Sequence, residues 1–361
     1  MPGSESSEPT QPLERRLHQP IHKECITRYT PGVPPSPRAD SSARRPVPDR
    51  PAEAAAPGPA LSHRGRCSIC DVRVQVGDLR LFFDVDGVSL FPAGTVMDQR
   101  PTLLLLHGGP GFDHSTSKPR FSQLADVCQV VYLDHRGQGR SDPSTPDRWT
   151  LNQWADDVRS FCDALEINRP IVLGQSFGGF VALNYALRHP DHPGKLILSS
   201  TTAKIRLDRA LPMFERLGGP RAREVAERFW SNPTDEHRDA YMEVCLPLYT
   251  RTPLDPDALA RVRMRPEVST HFIRGEMLTY DFTDRLGQLA CPTLVVAGGL
   301  DPITPVADAE DLAAALPVKT TRLEVFPNAG HGVFRDDPDE FLALVRDFIT
   351  EDVRAATSAR K

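Results

Sequence analysis

The chain has 361 residues, 39% of them apolar and 25% charged, with a formal net charge of −5. That length supports one large domain or two ordinary ones, and the composition excludes a collagen, a disulfide-stapled miniprotein and a chain disordered throughout. Arginines outnumber lysines 37 to 6, yet 48 acidic residues offset them and no run of five like charges occurs. Nothing in the charge selects a nucleic-acid partner.

The front of the chain is built differently from the rest. Thirteen of the 35 prolines fall within the first 60 residues. Residues 1–65 repeat Pro, Ser, Ala and Arg with almost no apolar periodicity, so they bury too little to offset their ordering entropy and are expected to be disordered. No basic stretch leads into an apolar run, so no signal peptide is expected. The longest apolar stretch, Leu103–Leu106, is far too short to span a membrane. These features predict a soluble, cytoplasmic protein with no membrane partner. The seven cysteines are thinly spread and odd in number, which argues against a disulfide framework. Cys128 and Cys162 lie in apolar patterns and read as core. Cys67 and Cys70 form a lone CxxC without a second ligand pair, so no metal is expected.

From about Asp71 the texture changes. Val72, Val74 and Val76, then Leu79, Leu81 and Phe83, alternate with polar residues and predict two antiparallel strands. Short apolar runs follow at Thr102–Leu106, Val130–Leu133, Ile171–Leu173, Leu196–Leu198 and Thr293–Ala297, as expected of strands buried on both faces. Thr321–Phe326 reads as a further strand. Between them lie helical patterns. Thr150 and Gln153 predict a capping box for a helix to Glu166, with Leu151, Trp154, Ala155, Val158, Phe161, Cys162 and Leu165 on one stripe. Phe177–Arg188 is apolar almost all round and stops before Pro190. Asp337-Pro338 opens a helix bearing Phe341, Leu344, Val345 and Phe348. The alternation predicts an α/β fold with a mainly parallel sheet. Residues 203–286 break it: helical in pattern, without a buried strand, they are expected to form a cap over the sheet's C-terminal edge. The core is then 66–202 with 287–361.

Gly174-Gln175-Ser176-Phe177-Gly178-Gly179 joins a buried strand to a buried helix. A serine on such a turn is exposed at a helix N-terminus, and the flanking glycines let the chain pass. A weak serine nucleophile needs a base and an orienting acid. Asp301 and His331 follow two later strands on the same predicted edge, in the order Ser…Asp…His. His107-Gly108-Gly109-Pro110-Gly111 follows another strand; Gly109 and Phe177 would supply the backbone N–H groups of an oxyanion hole. No GK[ST] and no GxGxxG accompanies this loop, which excludes a phosphate-binding reading. His107 reads as a brace for the loop.

Together with Asp134-His135-Arg136-Gly137-Gln138-Gly139-Arg140-Ser141, these motifs make residues 71–350 resemble the α/β-hydrolase-fold serine peptidases of the prolyl aminopeptidase (proline iminopeptidase) type. The resemblance implies an α/β-hydrolase fold with an inserted helical cap, Ser176 as nucleophile, Asp301 and His331 completing the triad, and no metal or other cofactor. It implies release of an N-terminal residue, proline preferred, from a short peptide. It also implies cap glutamates that hold the substrate's free amine. Glu215, Glu224, Glu227, Glu236, Glu243, Glu267 and Glu276 lie in the cap, and Thr270 stands where one such glutamate is expected. The alternative on the same scaffold is an esterase, lactonase or amidase acting on a small acyl substrate. Dehalogenase and epoxide-hydrolase chemistry would need an aspartate where Ser176 stands. A non-catalytic ligand sensor is the alternative of a different class.

Deleting residues 1–65 is expected to leave kcat and thermal stability nearly unchanged. A large drop in either would show that this segment docks on the domain.

Overall fold

Alternate residues of the apolar runs face opposite sides of one sheet, which is why each run is apolar throughout. The computed structural model describes residues 72–253 and 255–351. The expectations for residues 1–65 and for Cys67 and Cys70 lie outside them. The strands are β1 (Arg73–Val76), β2 (Leu79–Asp86), β3 (Leu90–Ala93), β4 (Val96–Gln99), β5 (Thr102–Leu106), β6 (Gln129–Leu133), β7 (Ile171–Gln175), β8 (Lys195–Ser199), β9 (Thr293–Gly298) and β10 (Thr321–Phe326). Eight form one sheet in the order β1-β2-β6-β5-β7-β8-β9-β10. β1 with β2 and β2 with β6 are antiparallel; every other pairing is parallel.

The helices are α1 (Leu151–Ala164), α2 (Phe177–Arg188), α3 (Leu207–Ser231), α4 (Asp235–Val244), α5 (Pro256–Arg261), α6 (Pro266–Arg274), α7 (Val306–Ala315), α8 (Val333–Asp336) and α9 (Pro338–Thr350). Leu104, Leu106, Val131, Leu133, Val172 and Val295 share a core with the apolar faces of α1 and α2. Their strand neighbours Leu103, Leu105, Val130, Tyr132, Leu173 and Val296 pack on the other side against Phe341, Val345 and Phe348 of α9. A parallel sheet covered on both faces is the arrangement the continuous apolar runs require. Among the described residues no helix is long and apolar enough to cross a membrane.

Three details depart from the sequence expectations. The antiparallel hairpin of β3 and β4 lies outside the main sheet and exposes Leu90, Phe91, Val96 and Met97, so no burial pattern marked it. The capping box is only half made. Thr150 accepts the Gln153 N–H at 3.1 Å, but the Gln153 amide turns to Asp157 at 2.9 Å. The neighbouring Leu151 N–H is taken by the Glu276 carboxylate at 2.6 Å, a charge well placed for a helix N-terminus.

Between β8 and β9 the described chain is helical. Gly219 (φ 76°), with Pro220 next to it, kinks α3 midway. Arg209 of α3 pairs with Asp308 and Asp311 of α7, both at 2.7 Å, and so ties the insert to the sheet's flank. Burial pushes the Asp308 carboxyl up to about 6 despite the arginine.

A buried ion pair, extended to a surface aspartate, locks the loop after β6 to α1. Arg136, 1% exposed, donates from Nε and Nη2 to the two oxygens of Asp157, both at 2.7 Å, and from Nη1 to Asp78 at 2.8 Å. Burial raises the Asp157 pKa and Arg136 opposes that shift. Removing the cation strands a buried carboxylate. Arg136→Met is therefore expected to cost roughly 3–5 kcal/mol in denaturant unfolding. The double variant Arg136→Met/Asp157→Leu should recover most of that loss; no recovery would mean the pair's charge is not what matters.

Candidate active site

The elbow between β7 and α2 sets the position of Ser176. Its backbone sits at φ 52°, ψ −117°, a conformation that L-residues avoid unless their surroundings enforce it. Close packing does so here. A Cβ on Gly174 would lie 2.5 Å from the Gly178 carbonyl oxygen, and one on Gly178 would collide with the Leu106 carbonyl oxygen of β5. The Ser176 N–H donates to Ser199 O at 2.9 Å, and its carbonyl accepts from Thr201 Oγ1 at 2.8 Å. The hydroxyl is thus held at the N-terminus of α2, the positive end of that helix.

Asp301 and His331 come together from the ends of β9 and β10. Asp301 is fully buried. Its Oδ1 accepts the N–H groups of Ile303 at 2.7 Å and Thr304 at 3.0 Å, and its Oδ2 accepts Thr304 Oγ1 at 2.9 Å. The remaining acceptor capacity of Oδ2 faces His331 Nδ1 at 2.8 Å. A carboxylate at that distance places the proton on Nδ1 and leaves Nε2 with a free lone pair. The His331 backbone is clamped as well. Its N–H donates to Tyr249 O at 2.6 Å, its carbonyl accepts from Gln175 Nε2 at 3.0 Å, and the Tyr249 ring meets the imidazole edge-on with centroids 5.2 Å apart. Ser176 and His331 line one cavity. Among the described residues, Ser176 Oγ makes no hydrogen bond, an openness common before substrate binds.

The loop after β5 forms the facing wall. His107 is fully buried and its ring is held on both sides: Nδ1 lies 2.7 Å from Gly108 O, and Nε2 accepts the His135 N–H at 3.3 Å. Burial keeps its pKa below the ordinary value, so it remains neutral and braces the loop as expected. Gln138 Oε1 accepts the Gly111 N–H at 2.6 Å, and Gly111 O accepts the Arg265 N–H from the insert at 2.7 Å. Gly109, at φ 134°, occupies a conformation that suits glycine. Neither the Gly109 nor the Phe177 N–H has an acceptor among the described residues. The Asp134–Ser141 motif acts as a brace. Asp134 accepts from the His114 N–H, His114 Nδ1 and the Arg140 N–H, while Ser141 Oγ donates to Asp134 O.

The cavity has a volume of about 230 Å³ and is mostly apolar beyond Ser176 and His331, with Phe180, Phe229, Trp230, Tyr241, Met242 and Ile273 on its walls. Among the described residues its charged lining groups are Arg238 and Arg335, and no aspartate or glutamate lines it. None of the insert's glutamates lies on this cavity. Glu215, Glu224, Glu227, Glu236, Glu243 and Glu267 are exposed, two of them paired with Arg223 and Arg228. Glu276 is spent on the N-terminus of α1. Thr270 is not among the cavity residues either. Sequence reasoning had no local signal for Tyr249, Gln175 or Gln138, because each acts through contacts distant in the chain.

The elbow geometry sets a test. Gly178→Ala is expected to lower the melting temperature by several degrees and to displace Ser176, since the neighbouring atoms are backbone and cannot rotate away. An unchanged melting temperature would contradict this packing.

A sequence profile for the family described as alpha/beta hydrolase fold matches residues 101–338. The "Putative carbamate hydrolase RutD" of Caulobacter sp. (strain K31) is 29% identical over 270 residues, covering 68% of this chain and 94% of its own. The proline iminopeptidase of Lactiplantibacillus plantarum is 30% identical over 279 residues, covering 71% and 94%. The crystal structure of proline iminopeptidase from Mycobacterium smegmatis aligns with a TM-score of 0.63 at 23% identity, over 80% of this chain and 99% of that one, a likeness of fold. The resemblance to proline iminopeptidases is thus present, alongside relatives named for other hydrolytic reactions. With the profile spanning most of the chain and the parallel sheet ordered as described, the protein belongs to the α/β-hydrolase fold family.

Proposed function

We propose that this hydrolase is a serine hydrolase that cleaves a small ester or amide lacking a free amino terminus. The observation that carries the choice of substrate is the charge of the cavity: among the described residues, Ser176 and His331 share it with two arginines and no carboxylate. An ammonium group placed there would be desolvated without a counter-charge, which is costly. An acyl chain would meet aromatic and aliphatic walls, which favour it.

In this reading Ser176 Oγ attacks the substrate carbonyl while His331 Nε2 takes its proton. Asp301 holds the Nδ1–H tautomer and stabilises the imidazolium. The N–H groups of Gly109 and Phe177 bind the oxyanion of the tetrahedral intermediate. Collapse of that intermediate breaks the bond to the leaving group, which receives the proton from His331 and departs. Water then attacks the acyl-serine with His331 again as base, and a carboxylic acid is released. A second reading, a prolyl aminopeptidase, is favoured by the 30% identity to a proline iminopeptidase.

The two readings separate in one assay. Short-chain p-nitrophenyl esters, a proline arylamide and an alanine arylamide are compared, with Ser176→Ala as control. The esters are expected to turn over and the free-amine arylamides not to. Ser176→Ala should lose at least about 1000-fold in kcat. Efficient cleavage of the proline arylamide would replace the first reading with the second. No hydrolysis, together with no labelling of Ser176 by a fluorophosphonate, would sink both.

A further inference from the structure

Several partly buried arginines among the described residues are matched with acids. Arg136 holds Asp157 and Asp78, Arg209 holds Asp308 and Asp311, and Arg238 on the cavity wall spends Nη1 and Nη2 on Asp235 at 2.7 Å and Asp239 at 3.1 Å. Arg335 differs. It lies on α8, four residues after His331, and its side chain lines the cavity that holds Ser176. Its Nη1 approaches the position a Cβ on Gly332 would take, at 3.4 Å. Among the described residues its guanidinium has no hydrogen bond and no ion pair; it rests over the Phe334 ring, 4.7 Å from the centroid.

The nearest counter-charge, on Asp336, acts on Arg335 without pairing with it. The adjacent carboxylate of Asp336 is committed to backbone, accepting from Arg251 N at 2.9 Å, Thr252 N at 2.8 Å and Gly330 N at 2.7 Å. The other charged neighbour is a second cation, Arg120. Burial first, then Arg120, brings the Arg335 pKa down to about 10, which leaves it charged at neutral pH. A half-buried cation beside a like charge and without a paired acid is costly unless something else meets it. Its planar fork matches a carboxylate.

We infer that Arg335 is a specificity-determining residue that receives a carboxylate carried by the substrate, so that the enzyme prefers monoesters or monoamides of small dicarboxylic acids. This deepens the acyl-hydrolase reading and rests on it. The substrate's carbonyl would sit at Ser176 and its far carboxylate at Arg335, with apolar wall between them.

The test compares the mono-p-nitrophenyl ester of adipic acid with the p-nitrophenyl ester of its monoamide, an isostere without the charge. The wild type should prefer the acid. Arg335→Gln should lower kcat/KM for the acid by about 10- to 100-fold, chiefly through KM, and leave the monoamide ester within about threefold. Arg335→Lys should recover part of the loss by restoring the charge without the fork. Equal losses on both esters, or no preference in the wild type, would overturn the inference. A binding readout keeps it separate from the reaction. Adipate itself should raise the melting temperature of the wild type and of Ser176→Ala, but not of Arg335→Gln. If no ester is cleaved while this shift is present and Arg335-dependent, the hydrolase reading fails and the carboxylate site stands. If esters are cleaved and adipate gives no shift, the site fails and the hydrolase reading stands.

Discussion

The site depends on how closely one helix turn can pass beneath two strands. The first turn of α2 runs against the end of β5, and the end of β7 runs against that same turn, with glycine hydrogens as the only atoms between them. That contact forces Ser176 into its left-handed conformation, and it also brings the loop after β5 level with the serine hydroxyl. The same close approach therefore sets two things at once: where the hydroxyl points and which backbone N–H groups surround it. Loosening it would not shift one group alone; it would separate both halves of the site.

The buried charges around that contact act as fasteners. Asp134 gathers His114 and Arg140, Arg136 clamps Asp157, and Asp301 satisfies three donors before it meets His331. Each is a carboxylate whose oxygens are used up, so each fixes geometry rather than leaving a charge seeking solvent. Fully used acids surround the cavity, while the cavity itself presents arginines. That contrast distinguishes groups that shape the site from groups that face its contents.

What could be read in the chain followed from local pattern. Apolar runs located the parallel strands to within a residue or two, and Ser176, Asp301 and His331 each follow the end of one of them. The β3–β4 hairpin escaped because its side chains face outward and carry no burial period. Gln153 failed to complete its box because Asp157, itself buried by Arg136, competed for the amide. The insert was the least legible part. Its glutamates look alike in sequence, and only tertiary packing shows that Glu276 caps α1 while the other six named glutamates face water. Arg335 resembles any helix arginine until its lack of an acid is seen in three dimensions.

The clamp from Tyr249 to His331 constrains how the cavity can exchange its contents. Tyr249 belongs to the helical insert, and its carbonyl holds the backbone of the loop that positions the imidazole. Swinging the whole insert aside would pull that hydrogen bond apart and carry the histidine's support with it. Access and reactivity would then exclude each other in time. A route that spares the clamp must open elsewhere along the rim, near α5 and Met264, where Leu259 and Met264 line the cavity yet already face solvent. The insert thus acts as a wall fixed to the loop that carries His331.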